Sequence, residues 1–500
     1  MERGHQTLFT VLREHSRLNG ASPALITVDR TVTYAELFED ARGIAAGLGR
    51  KGIGKGDRVC VLAQNSVEYF ELLGACAGLG AIVFPLNWRL SPTEIAFAVR
   101  LAEPKALVVG PGQIGQLSEV DNGALEVRAV IGQSGAGDFT PLSEMLEAAA
   151  APEFEVGGNE PSMILSTAAV AGVPRGALLS HANLLTAAEQ LRTALGLTAS
   201  DRHLAALPLF HVTGLGLSLA TLLAGGANVV TEGFDPPQAA RLIDEHRVTL
   251  LASFPPVLSL LLDARKAAGA EWNSLRYVLG LDAPEVIRRL LSETQADFWT
   301  GYGQSETSGV VTLGSVKERP GSAGRPLPVA RLRCVDEADV EVPTGEPGEI
   351  VVQGPLVFLG YWRDADATDY AARHGWHHTG DLGKLDEDGY LFYLGRKPEK
   401  ELIKSGGENV YPAEVERVLM ELPEVAAVCV IGVADATWGE AVKAVIELAP
   451  GARLTSEQIQ EAVARRIAAF KKPRAVEFVE RLPRLPDGKV DRAAVKAAHA

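Results

Sequence analysis

The stretch "TVTYAELFEDARGIAAGLGRKGIGKGDRVCVLA", residues 31–63, sets the fold class. Thr33 and Glu36 stand at the spacing of a reciprocal N-terminal cap, and Leu37, Ala41, Ile44 and Leu48 then recur at helical intervals, so a helix is expected to begin after Thr33. Gly52 reads as its stop and "RVCVLA" as a buried strand. The next amphipathic run, "VEYFELLGACAGLG", leads into the strand-like "AIVFPLN". Strand and helix alternating in this way make βαβ units, in which a parallel sheet is covered by helices.

Further along, the texture changes. "GEIVVQGPLVFLGYW" and "GYLFYLGR" are short β segments bounded by Gly and Pro, as in a small barrel or hairpin subdomain. From about Lys400 the chain starts afresh, and a helix capped by Thr455 and Gln458 is expected to carry Ile459, Val463, Ile467 and Phe470 on one face. The fold expected is α/β: a large N-terminal domain of stacked, parallel-rich sheets with helices and a small β-barrel-like subdomain (residues 1–399), then a small mobile α+β domain (residues 400–500).

Composition narrows the function. Of 500 residues, 47% are hydrophobic and 22% charged, ordinary for a soluble protein, and no segment approaches the run of about 20 apolar residues that a membrane span needs. A formal charge of -15 argues against a protein that wraps nucleic acid. Cys60, Cys76, Cys334 and Cys429 have neither metal-site spacing nor a disulfide pattern, so a reducing cytoplasm is expected; the N-terminus carries no signal-peptide core. A homodimer is left open.

The chemistry begins at "MILSTAAVAGVPRGALLSHANLL", residues 163–185. Gly172 and Gly176 let backbone N–H groups approach an anion, and Arg175 adds a fixed positive charge. The spacing is not that of a Walker loop, and a hairpin turn followed by a helix capped at Ser180 is an equal reading of this segment alone.

Taken in order, "LSTAAVAGVPRGALLSHANL", "PLFHVTGL", "YGQSE", "GEIVVQGPLVFLGYW", "HTGDLG", "GRKPEKELIKSGGENVYPAEVE", "VIGVADATWGEAVKAVI" and "LPDGKVDR" resemble the successive core motifs of the adenylate-forming superfamily, from about residue 30 to the end of the chain. That group includes acyl-CoA synthetases, peptide-synthetase adenylation domains and firefly-type luciferases. The resemblance implies a two-step reaction. A carboxylate attacks the α-phosphate of ATP to give acyl-AMP and pyrophosphate; a thiol then displaces AMP to give a thioester. Charge growing on the α-phosphate calls for Mg²⁺ and a cation.

Residue by residue, the resemblance makes Lys489 the catalytic lysine, carried in from the C-terminal domain on closure, and Glu306 the acidic residue that helps hold Mg²⁺. It places the Ser305 hydroxyl toward the phosphate, Tyr302 with Gly303 at the adenine, Asp381 on the ribose hydroxyls and Arg396 on the ribose side of the nucleotide. His211, followed by Val212, Thr213 and Gly214, walls the acyl pocket. None of the three is the Asp by which amino-acid-activating domains hold an α-amino group. Gly406 and Gly407 border the entrance of the CoA thiol, and Glu401 is the hinge candidate in a link about two residues longer than the family's.

Two departures stand out. In the phosphate loop Thr167, Gly172, Pro174 and Gly176 are kept, but Ala168, Ala169, Val170 and Ala171 stand where the family has Ser, Gly, Thr and Thr, and Arg175 replaces Lys. A hydroxyl bond to a charged phosphate oxygen contributes roughly 1.5 to 3 kcal/mol, so a weaker grip on the β- and γ-phosphates is expected, offset by Arg175 and backbone donors. In "VLGLDAPEVI", Leu281 and Asp282 replace two glycines; Leu281 is expected to shorten the acyl pocket and favour a short, branched or aromatic acid, and a buried Asp282 would need a donor. An acyl-CoA synthetase using ATP, Mg²⁺ and CoA fits these features. A freestanding enzyme loading a carrier protein, and a non-catalytic nucleotide-binding homologue, are the alternatives; a luciferase-like oxygenase has no positive support.

Overall fold

The structure is a computed structural model that describes residues 7–121, 123, 125–132, 134–146, 155–167, 175–397, 402–485 and 488–500. The capped helix that opened the reading is there. It runs Tyr34–Arg50, with both Thr33–Glu36 capping bonds made and Gly52 at φ +83° just past its end. Strand Arg58–Leu62, helix Val67–Leu79 and strand Ile82–Pro85 follow, and the two strands pair in parallel. Parallel pairing of these strands puts them deep in the protein, so they are continuous apolar runs and do not alternate.

Among the described residues the strands form two large sheets and two smaller ones. One large sheet is built around Arg58–Leu62, flanked on one side by Ile82–Pro85, Pro161–Ser166 and Gly176–Ser180, and on the other by Ala106–Val109. The other has a parallel core of Ala227–Val230, Arg202–Ala205, Leu250–Ser253, Tyr277–Gly280 and Asp297–Gln304. The largest apolar cluster draws on both: Val59 and Val61 from the first, Leu250, Ala252 and Leu279 from the second, with helix residues such as Leu37, Phe70 and Leu217.

The Gly- and Pro-bounded β segments form a four-stranded antiparallel sheet of Arg331–Val335, Gly348–Gln353, His377–Leu385 and Leu391–Arg396. The chain beyond residue 402 makes its own sheet, led by the long hairpin Val425–Asp435 and Gly439–Leu448. Its helix Ser456–Ala464 has the expected Thr455–Gln458 cap but stops before Ile467 and Phe470. Those two residues still pack on the same cluster, delivered by a short turn at Ala469–Lys471 that Pro473 prevents from continuing as helix. No helix of the described residues is long and apolar enough to cross a membrane.

Candidate active site

A cavity of about 830 Å³ lies where the C-terminal sheet meets the rest of the protein. One end follows from sheet geometry: loops at the carboxyl ends of parallel strands open onto a crevice, and Asp297–Gln304 delivers Gly303, Ser305 and Glu306 there. Glu306 is buried, and its Oε1 accepts a hydrogen bond from the Tyr361 hydroxyl at 2.9 Å. Thr167 and Arg175 line the same end, joined across the neck of their loop by Thr167 N donating to Arg175 O at 2.8 Å. Gly172 and the altered positions 168–171 lie outside the described residues. Gly176 does not line the cavity; a Cβ there would sit 2.5 Å from Ile164 Cγ2, so glycine is needed for strand packing.

Behind this wall sits a dense polar knot. Asp381 and Arg396 face each other across adjacent strands, with Arg396 Nε 3.1 Å from Asp381 Oδ1. The pair is close enough for ionic attraction but not aligned as a hydrogen bond, and both atoms are buried without one. Asp381 Oδ2 accepts from Tyr302 OH at 2.7 Å and Gln304 Nε2 at 2.6 Å. Arg396 lines the cavity; Asp381 does not, and its Oδ1 is buried. Tyr302 differs from expectation. Its ring is buried in a cluster with Val311, Ile350 and Leu391, 6.0 Å from the Tyr393 ring, and its hydroxyl braces Asp381, so it is a core tyrosine and no part of the cavity lining.

The other end is apolar, lined by Phe210, Phe234, Leu251, Phe254, Val257 and Leu261. His211, Val212 and Thr213 join it at the start of helix Val212–Leu223. Gly214 is buried just behind; a Cβ there would meet Pro208 O at 2.6 Å, so the helix could not seat on its loop with any other residue. The expectation for Leu281 fails. Leu281 is 45% exposed and outside the lining, because the chain turns outward after the strand Tyr277–Gly280. Asp282, also outside the lining, accepts from Ala283 N at 2.9 Å while its Oδ2 is buried without a partner, and burial raises its pKa.

The C-terminal sheet closes the cavity with the turn between Ile403–Ser405 and Glu408–Val410. Gly406 and Gly407 both line the cavity at φ +60° and +82°, a conformation that favours glycine. A Cβ on Gly406 would lie 2.5 Å from the Trp438 ring. Glu408, next along, is held by three groups from the N-terminal part: Arg89, Asn87 Nδ2 at 3.0 Å and His211 Nε2 at 3.3 Å. Burial alone would raise the Glu408 pKa, but the bond to His211 and the charges of His211 and Arg89 outweigh it and hold the carboxyl at about 2. A second clasp has Lys471 bridging Glu94 of the N-terminal part and Glu414.

Lys404 also lines the cavity. Its side chain is open to that space yet ringed by protein, and this desolvation, then the Arg396 charge, depress its pKa. Lys489 is not brought there. It is exposed on a separate hairpin, closed by Leu485 N donating to Lys489 O at 2.8 Å, outside the cavity lining. Glu401 lies outside the described residues. Arg89, Lys404 and Tyr361 are among the residues that sequence reading did not single out. Lys404 and Tyr361 lie inside quoted motifs, whereas Arg89 lies in none.

The fold carries a large cavity with one polar and one apolar end, closed by a separate C-terminal sheet. Residues 12–362 match the AMP-binding enzyme family, and residues 414–489 match the AMP-binding enzyme C-terminal domain. The chain is 36% identical over 472 residues to a feruloyl-CoA synthase of Amycolatopsis sp, covering 93% of each, and 35% identical over 485 residues to an indoleacetate–CoA ligase of Aromatoleum aromaticum, covering 95% of each. It resembles a solved double mutant of the o-succinylbenzoate CoA synthetase of Bacillus subtilis, bound with its product analogue OSB-NCoA, with a TM-score of 0.85, 29% identity and 98% coverage of both chains. Against the same enzyme in complex with the acyl-adenylate intermediate OSB-AMP the TM-score is 0.69, at equal identity and coverage. The chain belongs to the AMP-binding enzyme family, the adenylate-forming ligases whose members activate a carboxylic acid as acyl-AMP and pass it to a thiol.

Proposed function

We propose that this protein is an ATP-dependent acyl-CoA synthetase that activates a branched or aromatic acid of short to medium length and transfers the acyl group to CoA. The observation that carries this reading is one continuous cavity that joins an apolar end, a polar end with Thr167, Arg175, Ser305 and Glu306, and the two-glycine turn. In the first step a carboxylate oxygen attacks the α-phosphorus and the bond to pyrophosphate breaks. Thr167, Arg175 and Ser305 hold the departing phosphates, and Arg396, held from behind by the buried Asp381, reaches the ribose side of the nucleotide. Glu306 would hold Mg²⁺. Its donor set fits, since Mg²⁺ is usually bound by one or two carboxylates together with substrate phosphates, and no group of three or more His, Cys, Asp or Glu among the described residues could hold a metal without them. When bound, Mg²⁺ neutralises charge growing on the phosphates.

Lys489 supplies the cation for this first step after the C-terminal domain, residues 400–500, rotates on the N-terminal domain, residues 1–399, about a link that includes Glu401. The present arrangement serves the second step. The turn at Gly406 and Gly407 lines the cavity, Lys404 beside that turn lines it while Lys489 does not, and the likeness is greater to a relative holding a CoA product analogue than to the same relative holding an acyl-adenylate. The thiol gives up its proton to solvent and its sulfur adds to the acyl carbonyl, the bond to AMP breaks, and AMP leaves with the electron pair.

Three phenylalanines and the absence of an acid at 212–214 favour an uncharged, aromatic acyl group. We place the enzyme in the cytoplasm, in keeping with four buried free cysteines. The test is pyrophosphate release from ATP across a panel of aryl, branched and straight-chain acids, with and without CoA. Acid-dependent release that CoA accelerates, strongest with aryl acids, is expected; ATP binding without release on any acid would leave a nucleotide-binding homologue instead.

A further inference from the structure

The arginine of the phosphate loop is held by a carboxylate from a distant part of the chain. Arg175 Nε lies 2.8 Å from Asp364 Oδ2, and the guanidinium carbon sits 5.3 Å from the centroid of the Tyr361 ring. The other oxygen of Asp364 is committed locally: Oδ1 accepts from Ala367 N at 3.0 Å and caps the helix Ala365–Ala371. The backbone here is laced to the strand that begins one residue after Arg175. Trp362 N donates to Gly176 O at 2.7 Å, Leu359 N donates to Leu178 O at 2.8 Å, and Gly360 and Tyr361 pair antiparallel with Leu178 and Ala177. Asp364 and Arg175 are therefore fixed to each other through main chain and side chain.

We propose that Asp364 is a positioning residue for ATP: by holding the Nε edge of Arg175, it presents the terminal Nη edge to the β- and γ-phosphates at the end of the cavity shared with Thr167, Ser305 and Glu306. This rests on the reading of the cavity as an ATP site. A guanidinium is a planar fork, so a carboxylate can take one edge while the other grips two phosphate oxygens; an ammonium has no second edge to offer. A negative charge beside an anion site subtracts from its attraction. What it contributes is order, because a long side chain already held in place loses less rotamer freedom when the nucleotide arrives. That contribution matters most in a loop where alanine and valine stand at the hydroxyl positions.

Asp364→Asn separates this role from capping, since Asn is as good an N-cap as Asp but carries no charge. The dissociation constant of Mg·ATP, read by calorimetry on the full chain, and the KM for ATP are expected to rise roughly 5- to 20-fold. The KM for the acid, the kcat (within about twofold) and the Tm stay in place. In an Arg175→Lys background, Asp364→Asn has no further effect on ATP binding. An unchanged ATP dissociation constant, or an equal loss in both backgrounds, overturns the proposal. The binding measurement does not depend on turnover: ATP binding with this coupling but no AMP from any acid contradicts the ligase reading and sustains the role of Asp364. A wild-type chain that does not bind ATP overturns both.

Discussion

Two glycine-bearing turns in the C-terminal part of the chain have opposite fates. The one at Gly406 and Gly407 lines the cavity, with Lys404 before it and Glu408 after it; the one at Gly488 carries Lys489 on an exposed hairpin outside the cavity lining. The difference lies in what the N-terminal part offers each turn. Glu408 finds Arg89, Asn87 and His211, and Lys471 finds Glu94, whereas beside Lys489 Arg484 Nη1 donates to Gly488 O at 3.2 Å and Arg484 pairs with Glu447 at 3.3 Å. Under the proposed function, this docking of the small sheet serves transfer to CoA, and acyl-AMP formation calls for a different one.

The sharpest way to disturb the docked turn is Gly406→Ala. The substitution forces a side chain into φ +60° and drives its Cβ to 2.5 Å from the Trp438 ring. Transfer to CoA is expected to fall roughly 10- to 100-fold, equivalent to about 1.5–3 kcal/mol, while acid-dependent ATP–pyrophosphate exchange stays within about threefold. Equal loss in both assays would mean that the turn is structural only. A milder change is Glu408→Ala, which leaves Arg89 and His211 without their shared anion. Stopped-flow transfer should slow by about 3- to 10-fold, with exchange unaffected or faster as the docked form loses population.

The smallest effect is far from both turns and sharpens the comparison by acting on neither. Glu71 is buried in helix Val67–Leu79, and burial, then the charges of Asp40 and Glu68, push its pKa up to about 8. Because the folded chain holds this proton more tightly than the unfolded chain, stability is full below about pH 4.5, falls as pH rises toward 8, and levels off above it. Glu71→Gln should raise the Tm at pH 8.5 by roughly 2–4 °C and change it little at pH 5, as read by calorimetry. Neither half-reaction should respond.

Much of the fold was written in local signals. The Thr33–Glu36 and Thr455–Gln458 caps form as spaced, because a cap is settled by residues three apart. The helix after Thr455 was read too long, because Ile467 and Phe470 keep an apolar rhythm on a turn as readily as on a helix when both pack on one cluster. At the site, Glu306, Arg175, His211, Arg396, Gly406 and Gly407 were legible from motif order and do meet in the cavity. Tyr302 and Leu281 were not: Tyr302 points to the far side of its strand from its neighbours, and Leu281 follows the end of its strand, where the chain turns outward. Arg89 was invisible for a different reason: its partner Glu408 is 319 residues away, and no spacing rule reaches that far. Nor can motif order say which of two lysines is docked.

The account turns on that choice of lysine, so the deciding measurement is a crossover of Lys489→Ala and Lys404→Ala through both half-reactions, using preformed acyl-AMP for the second. The account predicts that Lys489→Ala loses acyl-AMP formation by roughly 100-fold or more yet transfers from acyl-AMP to CoA at about the wild-type rate, with Lys404→Ala showing the reverse bias. Parallel losses in both half-reactions for both variants would contradict it, because a single arrangement of the C-terminal sheet would then serve the whole reaction.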